Sequence, residues 1–588
     1  MNGRGTAKTE NVLNPCGRSS TMHAERFSGG NNMHGSKPIL CLVGVAPLAL
    51  GALLAATLAA EQPTWNQINP SRFLENIRVL SSDEYEGRAP ATKGETLATA
   101  YIEDQFKKVG LKPGNPDGTY FQSVPMVGIK ADPSAQLIFT DEAGGKREAL
   151  TYGDDFVAWT KHVEPAISVE ADVVFVGYGV VAPEYNWDDF KGVDVKGRII
   201  VVLINDPQVP DPHDPSKLDE SMFKGKAMTY YGRWTYKFEE AAAKGARGCL
   251  IVHQTVPAAY PWGVVRSSNT GEQFSLVTND RGMSRSAIEG WITYEKAKAL
   301  FALAGKDFDA LEKAAVRRDF QPVDLHVKAS LSLRNDFRTI ESKNVVGKVE
   351  GADPKLRDEY VIYTAHWDHL GIGPEVKGDK IYHGALDNAS GVAGLVELAD
   401  AFAHAQPPPR RSILFLSVTA EEKGLLGSQY YSEHPLYPLS KTLAEINMDG
   451  LNVLGRTRDI EIIGLGQSTL EDMLAAAAAQ QGRAVKPDAE PEKGYYFRSD
   501  HFSFAKQGVP ALDTDSGVDY IGKPEGWGLQ MRDKYTSEDY HKPSDKIKPY
   551  WDLTGTVKDL RLLGEVGYRV ANGETYPAWK AGSEFKRH

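Results

Sequence analysis

Apolar, strand-like runs in the second half of this 588-residue chain repeatedly end in His, Asp or Glu. The run Tyr360–Ala365 delivers His366, then Asp368 and His369, and a Gly-rich excursion leads to Asp387 before Ser390-Gly391 opens an Ala-rich helical pattern. Ser412–Val418 ends in Thr419-Ala420-Glu421-Glu422, and Leu443–Met448 ends in Asp449-Gly450. Further on, Tyr540-His541 supplies another imidazole, with Asp545 four residues later. Acids and imidazoles at the ends of buried strands are costly unless paired or bound to a cation. Open α/β sheets build their reactive sites on loops at such strand ends. Any one of these stretches reads equally well as a solvated polar loop; together they make a metal site the economical reading.

From Lys343 onward strands and helices alternate: Asn344–Val349, Tyr360–Ala365, Val392–Ala403, Ile413–Val418, Leu443–Met448, Ile460–Ile463, Leu470–Gln480, Val509–Leu512 and Leu553–Ala571. That alternation predicts an α/β fold with a central, mostly parallel mixed sheet flanked by helices. Ser71–Leu80 and Thr96–Val109 carry helical apolar spacing, with Gly110 closing the second, and Asp83–Ala89 between them reads as a polar loop near the site. From about Ser134 to Asp336 the texture turns β-rich, with strong strands at Ala171–Val181 and Gly197–Ile204, a helix at Trp234–Lys244 and a strand at Gly248–Val252. The expected organisation is a leader or anchor over residues 1–60, the first part of the catalytic domain over 61–133, an inserted β-rich domain over 134–336, and the catalytic domain proper over 337–588. No residues of the insertion form a metal set, so a lid over the site is its expected role.

If His366, Asp387, Glu422, Asp449 and His541 converge, they offer more donors than one tetrahedral ion uses. Two ions sharing a carboxylate use them all, with His366, Asp387 and Asp449 on one and Asp387, Glu422 and His541 on the other. Water between ions roughly 3.5–4 Å apart becomes a hydroxide nucleophile near neutral pH. Glu421 is then free to take its proton and hand it to a leaving amine. Asp368 is placed to accept the other N–H of His366, and Asp545 to serve His541 in the same way. His/carboxylate ligation without thiolate suits zinc, two per chain, with manganese or cobalt as alternatives. Arg498, Asp500 and His501 are candidate substrate contacts, while His369, His383 and His253 read as loop or structural histidines.

These residues carry a resemblance. Ala365-His366-Trp367-Asp368-His369, Leu386-Asp387-Asn388-Ala389-Ser390-Gly391, Ala420-Glu421-Glu422-Lys423-Gly424, Ile446-Asn447-Met448-Asp449, Ser499-Asp500-His501-Phe502 and Tyr540-His541 resemble, in order, the motifs of metallo-peptidase family twenty-eight. These are the di-zinc aminopeptidases and glutamate carboxypeptidases, here in the subgroup with an inserted protease-associated domain. Glu86-Gly87-Arg88 fits the family's N-terminal part, and Val174–Gly179 and Asp194–Gly197 fit the insertion. The resemblance implies that Asp387 bridges two zinc ions, that Glu421 is the general base, and that the Asp387–Asn388 peptide is cis. It implies an aminopeptidase acting on peptides. Alternatives are a carboxypeptidase or dipeptidase of the family, a glutaminyl cyclase of the single-zinc type, or a non-catalytic relative. The last type loses the ligand positions, which this chain retains.

A net charge of −11 argues against a nucleic-acid partner, which needs a basic face. With 41% hydrophobic and 25% charged residues the chain can bury a large core. Lys37 followed by the apolar run Pro38–Ala60 fits a signal peptide cleaved near Ala60, with Met33 as a possible start. The run is also long enough for an uncleaved membrane anchor. Either way the expectation is export to the periplasm or the exterior. Cleavage would leave only Cys249 of the three cysteines, in an apolar strand, and so no disulfide within the chain. The sequence sets no oligomeric state.

Overall fold

The computed structural model describes residues 65–132 and 134–586. The expected leader, with Cys16, Cys41 and Met33, lies outside the described residues. No described helix is long and apolar enough to cross a membrane.

The second half of the chain, with residues 65–132, forms a three-layer α/β unit. Its strands run in the spatial order Ala511–Leu512, Thr442–Asn447, Tyr360–His366, Ser412–Val418, and then the long strand Val323–Val349. The first four are mutually parallel and the last is antiparallel to its neighbour. Every residue of Tyr360–His366, Ser412–Val418 and Thr442–Asn447 is buried, which explains why they read as unbroken apolar runs rather than as alternating ones. Register then decides function. His366 pairs with Val418 and Thr364 with Asn447, so three adjacent parallel strands end at the same edge of the sheet. Whatever follows each strand emerges there.

Helix Ser390–Ala403 lies against this sheet with most of its surface buried, and Thr554–Asn572 and Pro70–Leu80 pack around it. Its first turn approaches the sheet too closely for a side chain. A Cβ on Gly391 would sit 2.2 Å from Asn388 Oδ1 and 2.4 Å from the Met448 carbonyl oxygen. Helix Pro70–Leu80 is anchored by Asn69, whose side chain caps Ser71 and Arg72, and by Arg72, whose guanidinium is paired with Glu397.

Between residues 131 and 333 two further hydrophobic clusters form, around Phe175, Val201 and Phe301, and around Val174, Ile251 and Trp291. Cys249 is buried in the second. The strands expected at 171–181 and 197–204 are Ala166–Phe175 and Ile199–Leu203, and the expected helix is Trp234–Ala243. The strand expected at Asn344–Val349 is instead the end of one 27-residue strand, Val323–Val349, that belongs to both halves. Its first part pairs with Ala166–Phe175 and its last with Ser412–Val418. The expected boundary at 336/337 therefore falls inside a continuous strand. The alternating burial of Leu325, Val327, Ala329, Leu331, Leu333 and Asn335 gives way to exposed residues at Asp336–Thr339 without breaking the backbone pairing to Phe121–Ala131. The 223–233 segment returns to the α/β unit. Met228 N donates to the Pro491 carbonyl (3.0 Å), and the Tyr230 ring packs on Phe502 at 5.0 Å between centroids.

Candidate active site

The parallel edge assembles the acids and imidazoles. His366 Nε2 lies 3.3 Å from Asp387 Oδ1 and 3.2 Å from Asp449 Oδ1. His541 Nε2 lies 3.3 Å from Asp387 Oδ2 and 3.0 Å from Glu422 Oε2. Asp387 thus turns one oxygen to each imidazole. Glu421 stands beside the first group, with Oε2 3.9 Å from His366 Nε2. Two groups of donor atoms, His366/Asp387/Asp449 and His369/Asp387/Glu422, each lie within 4.8 Å of one another.

Ala420 and His541 have φ of 52° and 55°, a region that L residues other than Asn and Asp seldom occupy, so local backbone strain accompanies the presentation of Glu421 and His541. The Asp387–Asn388 peptide is cis. The Asn388 amide links two ligand loops, donating to the Met448 carbonyl (3.0 Å) and accepting from Gly391 N (2.8 Å) and Gly450 N (3.2 Å). Asp449 is held by Ser499, whose hydroxyl donates to Oδ2 at 2.8 Å and accepts from Asn447 Nδ2 at 2.8 Å.

The electrostatics are those of a crowded set of carboxylates and imidazoles. Burial opposes ionisation of Asp387, but hydrogen bonds from His366 and His541 hold its carboxyl well below the usual range. Burial likewise opposes Glu422, and the His541 charge outweighs it, bringing Glu422 to about 2. Burial would lower both ligand imidazoles. Asp449 and Glu421 instead hold His366 well above its ordinary value, and Glu422 and Asp387 carry His541 up to about 10. Burial drives Glu421 well above the usual carboxylate range; the His366 charge opposes this, and the charges of Glu422 and Asp449 reinforce it. Imidazoles and carboxylates converging without thiolate form the donor set of small divalent cations such as zinc.

Several expected roles change. The Asp368 carboxylate does not accept from His366. Nδ1 of that ring faces the Asp368 carbonyl oxygen at 3.1 Å, whereas the carboxylate accepts from Glu421 N (3.0 Å) and Glu422 N (3.4 Å). Two fixed backbone donors outcompete a ring 3.8 Å away. Asp545 does not serve His541; it accepts from Leu386 N (3.1 Å), Asp387 N (3.1 Å) and the Tyr535 hydroxyl (3.3 Å). His369, read as a loop histidine, is buried with Nδ1 2.6 Å from Glu422 Oε1. Asp500 and His501 are both 0% exposed, which removes them from contact with a peptide in the cleft. His501 stacks edge-on against Tyr496 at 4.7 Å and lies 3.6 Å from Asp513. Arg498 is partly exposed and rests over the rings of Tyr260 and Tyr495. Asn388 and Ser499 stand within motifs already quoted, as Arg88 does, but nothing in the residue pattern assigns any of the three a role.

Residues 344–563 match the family model described as Peptidase family M28. The mouse protein "Aminopeptidase NAALADL1" is 39% identical over 235 residues, which is 39% of this chain and 29% of that protein. The "Vacuolar membrane protease" of Saccharomyces cerevisiae S288c is 32% identical over 148 residues, 24% of this chain and 14% of the other. The chain thus spans less than a third of the length of these curated relatives. Among solved structures, an aminopeptidase from Aneurinibacillus sp. strain AM-1 superposes with a TM-score of 0.49 and 19% identity over 89% of this chain and 98% of that one. The Bacillus subtilis zinc aminopeptidase BSAP superposes with a TM-score of 0.43 and 18% identity, over 86% and 96%.

Proposed function

We propose that this chain, whose residues 344–563 match the model of peptidase family M28, is a zinc-dependent aminopeptidase that removes N-terminal residues from peptides. The observation that carries the reading is Asp387, whose two oxygens address His366 and His541 separately. Such a carboxylate serves two cations at once. His366, Asp387 and Asp449 would hold one ion, and Asp387, Glu422 and His541 the other. When bound, the ions supply Lewis acidity toward the scissile carbonyl and lower the pKa of the attacking water.

The chain's own groups do the rest. Glu421 belongs to neither donor group and takes the proton of the attacking water, then delivers it to the departing amine. Asp368 fixes the Glu421 and Glu422 backbone, so base and ligand move as one. The acids around the site receive the free α-amine of the substrate. The 134–336 segment, read as a protease-associated domain, covers the cleft through the contacts of residues 223–233. Residues 1–60 direct the chain out of the cytoplasm.

One observation favours a second reading, a carboxypeptidase or dipeptidase of the same family. Arg233 is 8% exposed, and its Nε, like Nε and Nη2 of Arg498, is buried without a hydrogen-bond partner. Neither forms an ion pair among the described residues. Burial and then the Arg498 charge lower Arg233 to about 10. The Arg498 charge also reaches Tyr540, whose ring stacks on His541 at 3.9 Å. Two uncompensated guanidiniums beside the ligand loops suit a free carboxylate on the substrate.

Metal content per chain, with rates on aminoacyl-anilides and on N-blocked dipeptides with a free C-terminus, tests both readings. Two zinc equivalents and turnover of the anilides support the aminopeptidase. Turnover confined to the blocked dipeptides replaces it with the second reading. Folded protein that takes up no more than one equivalent overturns the shared premise.

A further inference from the structure

Arg88 is 1% exposed, yet among the described residues no carboxylate accepts a hydrogen bond from it. There its guanidinium donates to backbone carbonyls alone: Nε to Trp367 (2.9 Å), Nη1 to Leu80 (2.7 Å) and His383 (2.7 Å), and Nη2 to Gly384 (2.9 Å). Trp367 lies between His366 and Asp368. His383 and Gly384 lead into Asp387. One side chain, delivered from a segment nearly 300 residues away, therefore ties the loop of one candidate ligand to the loop of the other.

The backbone is strained to achieve this. Glu86, Gly87 and Arg88 have φ of 49°, 68° and 52°, three successive residues in the left-handed region. Non-glycine residues hold such a conformation only where the surroundings enforce it. Gly87 has no alternative, since a Cβ there would lie 2.4 Å from the Tyr382 carbonyl oxygen and 2.7 Å from that of Gly371. A buried guanidinium without a paired acid is expensive unless its charge is used. Here burial lowers the guanidinium pKa to about 10, and the charges of Asp545, Asp368, Asp387 and Glu422 offset only part of that.

We propose that Arg88 is a positioning residue for the metal site: its planar fork sets the separation of the His366 and Asp387 loops before any cation arrives. The clamp needs the fork geometry as well as the charge. A lysine ammonium is a point charge with three donors and cannot span carbonyls on three segments. The inference rests on the di-zinc reading, and the experiment separates the two.

Zinc affinity of the ion-free full-length protein is measured by competition with a chromophoric chelator, for wild type, Arg88→Lys and Arg88→Met. Circular dichroism and thermal unfolding of the ion-free forms are recorded alongside. The expected result is folded variants that bind zinc 10–100-fold more weakly, the range for residues that orient ligands from behind, with Lys no better than Met. Affinity within twofold of wild type in either folded variant overturns the proposal. Retention by Lys with loss in Met also overturns it, since charge alone would then suffice. If neither variant folds, Gly87→Ala decides on the same titration, because it keeps the arginine and displaces the turn. Unchanged affinity there overturns the clamp, and a 10-fold or greater loss supports it. A wild-type protein that binds no zinc refutes the underlying reading instead.

Discussion

Replacing Glu421 by Gln isolates one proton transfer. The exchange keeps the side-chain shape and removes only the charge and the basicity. The side chain is 12% exposed, and its position is set through the main chain, whose N–H Asp368 accepts at 3.0 Å. Fold and cleft shape are therefore expected to persist. General-base removal costs about 10²–10⁴ in rate, which at 1.36 kcal/mol per decade is about 2.7–5.5 kcal/mol of barrier. The surroundings point to the upper part of that range, because no neighbouring acid can substitute. Asp368 is engaged by two backbone N–H groups, Asp500 has no exposed surface, and Asp387, Glu422 and Asp449 belong to the donor groups. Steady-state kinetics on an aminoacyl-anilide should show kcat down by about 10³–10⁴ with KM changed by less than about threefold. Zinc content should stay at the wild-type value, because Glu421 is in neither donor group. A zinc-replete variant retaining more than a tenth of wild-type kcat would refute the assignment of the base.

Three further outcomes concern stability. Arg72→Ala strips the partner from Glu397, whose side chain is fully buried while the arginine is 31% exposed, and should cost about 2–4 kcal/mol in urea unfolding, between the ranges for surface and buried pairs. Gly567→Ala should destabilise by about 1–3 kcal/mol, because its Cβ would sit 1.9 Å from Tyr363 Oη, and adding Tyr363→Phe should recover part of that loss; strict additivity would show that the contact is not the cause. His501 is held neutral by burial, which lowers its pKa from 6.5 to about 3. Its folded value lies below its unfolded one, so stability is fully present above pH 6.5 and is lost as pH falls toward 3. Between pH 7 and 5 this group should cost about 2 kcal/mol. His501→Gln should lose that much less than wild type over the interval, as read from urea midpoints at the two values.

The ligand residues were legible for a specific reason. A buried parallel strand is a short apolar run, and the first polar residue after it must emerge at the carboxyl edge of the sheet. His366, Glu421, Glu422 and Asp449 each stand within four residues of such a run, so hydrophobic pattern alone placed them together. His541 and Asp387 follow no buried parallel strand; the sequence offers them only as a further imidazole and as an acid after a Gly-rich excursion. Misreadings arose where direction mattered. Asp500 and His501 begin a short helix, Asp500 as its N-cap, and a sequence cannot say that this end turns into the core rather than toward the cleft. Asp368 and Asp545 each read as partners of an imidazole a few residues earlier, but a carboxylate binds whatever donors the fold aims at it, and both find backbone N–H groups.

The sequence by itself determined the α/β class, the edge at which chemistry gathers, and the kinds of donor found there. These depend on local hydrophobic pattern and on the side chains that interrupt it. Tertiary structure decided what holds those donors in place. Arg88 acts through carbonyl oxygens of residues 279 to 296 positions away, and every residue carries a carbonyl, so no pattern of residue types announces such a partner. The same holds for the strand Val323–Val349, whose two halves serve different parts of the sheet. Backbone pairing continues wherever neighbours are available, and only the folded chain supplies them.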